Sequence, residues 1–239
     1  MYNCSISIHW ATGLTSITVE VEPNSCQNAF AYINDLATEG LVVFSLKDRS
    51  SWRVDHPTFK HDVAAMNFTS SGHVINWPDG LFGMALVNKG CSGTNLYYHP
   101  LVSTQEFAVN TTVLKTRASL EKADFLIGNR GSNSQSGSSD FHSHTGVLFY
   151  GNVARGAILV LEHKLPTDAF NVDIVAQDSN KLGYISDLKV RDADVWLLSN
   201  QIPKFVYNTQ NIDENNYFIM RGKAHNLIRG TKCDRPHRQ

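Results

Sequence analysis

The chain contains the segment DVWLLSNQIPKF at residues 194–205, in which an acidic residue is followed by large apolar and β-branched residues. Such a run, ending in a polar turn and a proline, is typical of a buried strand that leads into a turn. A second strand pattern, SDLKV, occupies residues 186–190, and three polar or small residues separate the two. The two segments therefore predict a β-hairpin, and the fold depends on whether the chain repeats it.

Three earlier regions have the same form of strand, short polar turn and more apolar strand: residues 15–34, 80–99 and 145–162. In the first, residues 15–22 alternate between apolar and polar, as expected for a half-buried strand, and residues 29–33, 40–46 and 51–54 supply three more strands. A meander that recurs four times with almost no helix predicts an all-β fold, a β-propeller with about four blades. A two-sheet sandwich would explain the strands but not their recurrence.

Three segments interrupt this pattern. Residues 55–76 are polar and irregular, and residues 128–139 consist mainly of Gly, Ser and Asn, so both are predicted to be loops. Residues 112–126 have apolar residues at helical spacing and form the best helical candidate.

Composition limits the function classes. The chain has 239 residues, 42% of them hydrophobic, and its 21 Lys and Arg nearly balance 22 Asp and Glu. This balance leaves no excess of positive charge for binding nucleic acid, so no nucleic-acid partner is expected. The short basic tail at residues 234–239 is predicted to be a solvated terminus. No apolar run approaches the roughly 18 residues needed to span a bilayer, so no membrane partner is expected.

Cysteines and glycosylation acceptors favour a secretory origin. The four cysteines lie far apart without a C-x-x-C pair, so two long-range disulfides remain possible but a zinc ribbon is not supported: Cys4, Cys26, Cys91 and Cys233. N-x-[S/T] triplets, which accept N-linked glycans, begin at Asn3, Asn67 and Asn110. The first residues nevertheless lack the basic region and apolar core of a signal peptide.

Several motifs in series carry a family resemblance: NAFAYIND at 28–35, GLVV at 40–43, SWRV at 51–54, DGLFGMAL at 79–86, LYYHPL at 96–101, RGSNSQ at 130–135, WLLSN at 196–200 and GTKC at 230–233. With these motifs the chain resembles the yellow and major royal jelly protein family of insects. The resemblance implies a secreted, six-bladed propeller, of which this chain would be an N-terminally truncated member. Residues 1–14 would then be foreign to the pattern, residues 15–233 a partial propeller and residues 234–239 a basic tail.

Familiar enzyme motifs do not occur in the sequence. It has no nucleophile elbow, P-loop, dinucleotide fingerprint or zinc-protease helix, and no cofactor is expected. His142 and His144 lie beside Asp140, but their position after a Gly- and Ser-rich segment favours solvated side chains unless a third ligand converges on them. We therefore predict no metal site.

Propellers commonly bind ligands on the central axis, where the innermost strand of each blade begins. Aligning the four repeats places six residues there: Trp77, Asp79, Thr145, Tyr184, Ser186 and Asp187. An acid beside an aromatic ring suits a cationic amine, because the carboxylate neutralises the ammonium group and the ring faces it. The alternative for each aspartate is to cap a turn by accepting backbone N–H groups.

The resemblance implies two functions. The first is a secreted binding protein for a small ligand such as a biogenic amine, and the second is a dopachrome-converting isomerase of melanin and cuticle pigmentation. For the isomerase, the only candidates for proton transfer are His or Asp side chains at the channel mouth. A third alternative is an inactive truncated product that self-associates through open sheet edges.

Overall fold

The computed structural model describes residues 12–22, 24–117, 120 and 125–234. These residues form four consecutive antiparallel sheets and one small hairpin, which confirms the predicted all-β propeller of about four blades. None of the helices in these ranges is both long and apolar enough to cross a membrane.

The first two sheets each have four strands in meander order. The first consists of β1 (Leu14–Glu22), β2 (Ser25–Asp35), β3 (Gly40–Ser45) and β4 (Ser50–Val54). The small hairpin β5 (Phe68–Ser70) and β6 (His73–Ile75) follows, within the segment that was predicted to be a loop. The second sheet consists of β7 (Leu81–Asn88), β8 (Thr94–Pro100), β9 (Gln105–Asn110) and β10 (Leu126–Asn129).

The last two sheets continue this order. The third sheet consists of β11 (Ser136–His142), β12 (Val147–Asn152), β13 (Ala157–Glu162) and β14 (Asp173–Gln177). The fourth sheet has three strands, β15 (Tyr184–Arg191), β16 (Asp194–Asn200) and β17 (Tyr217–Lys223). Between its last two strands lies the short helix α2 (Ile202–Val206), and helix α3 (Ala224–Leu227) follows β17.

The first strand of each sheet lies on the inside of the propeller. Strand β7 packs against both β1 and β11, and β11 packs against β15. Separate apolar clusters fill the spaces between the first and second sheets, the second and third, and the third and fourth. Each sheet is therefore held by apolar contact with its neighbours in the chain, as expected for propeller blades.

The helix predicted at residues 112–126 is wrong in extent. Helix α1 covers only Thr111–Lys115, and Leu126 begins strand β10, which pairs with β9. Residues 118, 119 and 121–124 of the predicted helix lie outside the described residues. The side chain of Asn110 caps α1 by accepting a hydrogen bond from the Thr112 N–H at 3.0 Å. Local capping therefore starts a helix at the predicted place, but the pairing of β10 with β9 makes the end of the segment a strand.

The Gly- and Ser-rich loop predicted at residues 128–139 is the most informative error. Residues 136–139 belong to β11, the innermost strand of the third sheet, and Ser136, Ser138 and Ser139 are almost completely buried. A Cβ atom on Gly137 would lie 2.5 Å from the carbonyl oxygen of Ile185. Small residues are therefore required because neighbouring inner strands approach closely there, and a polar composition does not indicate solvent exposure.

A buried polar network anchors this strand. His99 Nε2 lies 3.0 Å from the Gly137 carbonyl oxygen, and His99 Nδ1 lies 3.0 Å from Glu106 Oε2. Arg130 pairs with the same carboxylate and also donates to the carbonyl oxygens of two loop residues, Ser103 and Ser134, and of Gln105, the first residue of β9. The network thus joins the second and third sheets through groups that are shielded from water.

The cysteines that the structure describes are not disulfide-bonded. Cys26 and Cys91 are exposed, and Cys233 is buried. Burial raises the pKa of the Cys233 thiol to about 11. Cys4 and the glycosylation acceptor Asn3 lie outside the described residues, as do most of residues 1–14 and 234–239.

Candidate functional site

A central cavity of about 570 Å³ opens where three inner strands begin. Strands β1, β7 and β15 each contribute to its wall, together with the segment before β7 and the helix α2. Its lining residues are Thr15, Leu36, Trp77, Asp79, Phe82, Tyr184, Ser186, Asp187, Leu198, Ile202 and Val206.

The cavity brings together five of the six residues that the repeat alignment selected, namely Trp77, Asp79, Tyr184, Ser186 and Asp187. Thr145 is not among them. It lies in the turn between β11 and β12, where its hydroxyl is 2.8 Å from Nδ1 of His142. The alignment misplaced Thr145 because it took β12 for the innermost strand of the third sheet, whereas β11 holds that position.

Asp79 is the acid with the most perturbed environment in the cavity. Burial raises the pKa of its carboxyl from 3.8 to about 6; a hydrogen bond from the Trp77 side chain opposes this rise, and the nearby Glu39 adds to it. The carboxyl is therefore mostly ionised at neutral pH and becomes neutral in mildly acidic solution. It can neutralise a bound cation or exchange a proton near physiological pH.

Asp187 and Ser186 are partly engaged by the protein itself. One carboxylate oxygen of Asp187, Oδ1, accepts hydrogen bonds from the Ser138 hydroxyl at 3.2 Å and from the Leu188 N–H at 3.0 Å. The hydroxyl of Ser186 donates to the Leu198 carbonyl oxygen at 3.3 Å. Oδ1 of Asp187 is therefore occupied by hydrogen bonds within the protein, as the capping alternative predicts. Asp79 is the better candidate for ligand contact.

Tyr184 forms a buried aromatic part of the wall. Only 3% of its surface is exposed, and burial together with the nearby charge of Asp79 raises the pKa of its phenol far above 10. The phenol therefore stays protonated at physiological pH. It can donate a hydrogen bond or pack against a ligand, but it cannot act as a base there.

Helix α2 is the part of the wall that the sequence reading missed. Ile202 and Val206 line the cavity, and Tyr207 directly after them stacks on Trp77 with ring centroids 6.2 Å apart. The ring of His73 also stacks on the ring of Tyr207, with centroids 4.7 Å apart. Pro203 was read as the end of a strand, but proline near the first helical position also marks a helix start, and that signal could have revealed α2.

The histidine pair acquires a third neighbour at the other end of the inner strands. The rings of His142 and His144 lie 6.4 Å apart between centroids, and each is 5.9 Å from the ring of His225. Within the described part of the chain, however, no group of three His, Cys, Asp or Glu side chains is arranged to hold a metal ion. Burial, and the proximity of the other two histidines, lower the pKa of His142.

Comparison with known proteins finds relatives of the chain in insects. The family model described as major royal jelly protein matches residues 5–233. The chain is 31% identical to L-dopachrome tautomerase yellow-f of Drosophila melanogaster, an alignment that covers 93% of this chain and 53% of that protein. It is 32% identical to the dopaminechrome tautomerase of the same species, covering 92% and 50%.

A third relative is major royal jelly protein 1 of Apis mellifera, to which the chain is 29% identical over 97% of its own length and 57% of that protein. The chain thus spans about half the length of these relatives.

Proposed function

This chain belongs to the major royal jelly protein family, and from that membership and the central cavity we propose that it binds a small aromatic amine or a compound derived from one. Secretion, which the family suggests, is part of the same proposal. The observation that carries it is the largely buried Asp79 carboxyl in the cavity lining, which accepts a hydrogen bond from the Trp77 side chain and lies close enough to Tyr184 to raise the pKa of that phenol further than burial alone does.

The chemistry of the wall suits such a ligand. The Asp79 carboxylate would neutralise an ammonium group, while Trp77 and Phe82 offer aromatic surface for a ring. Leu36, Leu198 and other aliphatic side chains give the rest of the cavity an apolar lining. The volume of about 570 Å³ lies within the range of roughly 300–1,000 Å³ that is usual for small-molecule sites.

Calorimetric titration with dopamine and serotonin tests this proposal. We expect saturable heat with the wild-type chain and a loss of affinity of at least about tenfold in the Asp79→Asn variant, because the ion pair is removed. Asp213→Asn is the matched control, since Asp213 is exposed and does not line the cavity. Flat wild-type traces with both amines, or equal losses in the two variants, would contradict amine binding at Asp79.

A second candidate function is tautomerisation of an amine-derived aminochrome. Two relatives carry the names L-dopachrome tautomerase and dopaminechrome tautomerase, and a carboxyl with a pKa of about 6 can exchange protons at neutral pH. Such a reaction removes a proton from a ring carbon of the substrate and returns a proton elsewhere on the same molecule. In this reading the Asp79 carboxylate accepts the carbon-bound proton.

The rate at which dopachrome absorbance is lost distinguishes the two functions. A tautomerase increases the rate above that in buffer, and Asp79→Asn should abolish this increase while Asp213→Asn retains it. Saturable amine binding without any rate increase would support the binding function and exclude the tautomerase. A rate increase that survives in Asp79→Asn would exclude Asp79 as the base.

Self-association is a further expectation that stays a prediction. Exposed apolar side chains lie on the outermost sheets of the series: Ile17, Val19 and Val21 on β1, and Trp196, Tyr217 and Ile219 on the fourth sheet. Such surface favours association in water. Size-exclusion chromatography of the 239-residue chain tests it, and a monodisperse monomer would contradict it.

A further inference from the structure

A second cavity, of about 350 Å³, lies beside helix α2. Its wall is built from the β5–β6 turn, the turn between β12 and β13, the loop before β15, and Lys204 of α2. Helix α2 therefore contributes to both cavities, since Ile202 and Val206 line the central one. We call this second cavity the α2 cleft; its lining residues are Thr69, Ser71, Gly72, Val153, Ala154, Arg155, Gly156, Ser179, Asn180, Gly183 and Lys204.

The α2 cleft is positively charged. Arg155 and Lys204 line it, and no aspartate or glutamate does. Within the described ranges neither of these two side chains takes part in an ion pair. Asp178, which precedes the lining residue Ser179 in the sequence, uses Oδ1 to accept the N–H groups of Asn180 and Lys181 at 2.9 Å each. The two cations therefore lack a neutralising partner on the cleft wall.

Arg155 is held in place while most of its donors stay available. One guanidinium nitrogen, Nη2, donates to the Ser132 carbonyl oxygen at 2.7 Å, and its backbone N–H donates to Asn152 Oδ1 at 2.6 Å. A guanidinium that is fixed at one edge loses little further freedom when the rest of its planar donor fork binds an anion.

Hydroxyl groups complete the donor set. Thr69, Ser71 and Ser179 line the cleft, and the hydroxyl oxygen of Ser71 is buried without a hydrogen-bond partner in the described part of the chain. A buried hydroxyl without a partner costs free energy, so small movements of this turn that expose Ser71 to the cleft are favoured. Ser71 and Gly72 form a two-residue hairpin turn with φ of +49° and +82°, and a Cβ atom on Gly183 would lie 2.7 Å from the Ser71 oxygen. Glycine at 183 thus lets the two loops approach closely around this hydroxyl.

We propose that the α2 cleft binds a small tetrahedral oxyanion of the phosphate or sulfate type. Arg155 supplies a planar fork of N–H donors, Lys204 supplies a point charge, and the exposed residues Thr69 and Ser179 supply hydroxyl donors, which together match the charge and the acceptor oxygens of such an anion. The site is separate from the central cavity, because the two cavities share no lining residue.

Titration with inorganic phosphate tests the site directly, using the whole chain in a low-salt buffer. We expect saturable heat that Lys204→Gln weakens by at least about tenfold, since one charge-assisted contact is lost. Lys181→Gln is the matched control: it makes the same charge change on the loop before β15, but Lys181 is exposed and does not line the cleft. The control should bind phosphate within about twofold of wild type.

Hydrogen exchange locates the bound anion. Phosphate should slow amide exchange in the β5–β6 turn and in α2, and leave exchange unchanged in helix α3, which follows the end of β17 that lies away from α2. The proposal is overturned if the wild-type chain shows no saturable heat, if both lysine variants weaken binding equally, or if protection appears elsewhere. None of these results depends on an amine ligand, so failure here leaves the proposed function of the central cavity untouched.

Discussion

Replacing Asp79 with asparagine should stabilise the chain at neutral pH while it removes the charge that the proposed ligand needs. In the folded chain burial raises the pKa of Asp79 from 3.8 to about 6, with a further contribution from Glu39. Folding therefore buries an ionised carboxylate at neutral pH, which costs free energy. Asparagine has nearly the same shape and keeps an acceptor for the Trp77 side chain, so the substitution removes this cost without leaving a cavity.

The pKa shift sets the size of the effect. One pKa unit corresponds to about 1.4 kcal/mol, so a rise from 3.8 to about 6 predicts a penalty of about 3 kcal/mol above pH 6. The folded state binds this proton more tightly than the unfolded state does. The penalty is thus complete above the folded pKa, and it disappears as the pH falls from about 6 towards the unfolded value of 3.8.

Urea unfolding followed by tryptophan fluorescence measures this penalty. We expect the free energy of unfolding of Asp79→Asn to exceed that of wild type by about 3 kcal/mol near pH 7.5 and by about 1 kcal/mol near pH 4.5. Asp213→Asn, at an exposed position, should show no such pH dependence. A pH-independent difference between Asp79→Asn and wild type, or a less stable variant at the higher pH, would refute the reasoning that Asp79 is held ionised at a cost.

Three further substitutions or measurements test the fold and the modification sites. Gly137→Ala should lower the free energy of unfolding by about 1–3 kcal/mol because the new methyl group meets the Ile185 carbonyl oxygen, and an unchanged urea midpoint would contradict this. Glu106→Gln should cost about 3–5 kcal/mol, since it leaves the Arg130 charge buried without its counter-charge; a loss below about 1 kcal/mol in urea unfolding would count against it. Asn67 is exposed, so mass spectrometry of chain secreted from cultured insect cells should find a glycan there, and an unmodified Asn67 would contradict the prediction.

The strands that the sequence predicted correctly are those whose signal is local. In β1 the alternation of apolar and polar residues correctly predicts a strand, although its apolar residues Ile17, Val19 and Val21 are exposed; the hairpin of β15 and β16 was recognised from its apolar runs and its polar turn. Five cavity residues were also found, because aligning these hairpins shows where each inner strand begins. Trp77, for example, precedes β7 and lines the central cavity.

The signals failed where neighbouring blades decide the structure. Helix α2 was not predicted, because it directly follows a strand and contains a proline. Its role as a cavity wall depends on where the packed blades place Ile202 and Val206. Likewise, Thr145 could be assigned to the cavity only as long as β12 was taken for an inner strand.

The sequence by itself determined that the chain is all-β and repeats a hairpin, because strand periodicity and turn residues act over a few neighbouring residues. Only the tertiary structure decided which strand of the third blade is innermost. The residues of β11 have the composition of a solvated loop, yet Gly137 and its serine neighbours are buried because two inner strands leave no room for larger side chains. Close approach between segments that are distant in the sequence is a property of the packed fold, so the local pattern of residue types cannot predict it.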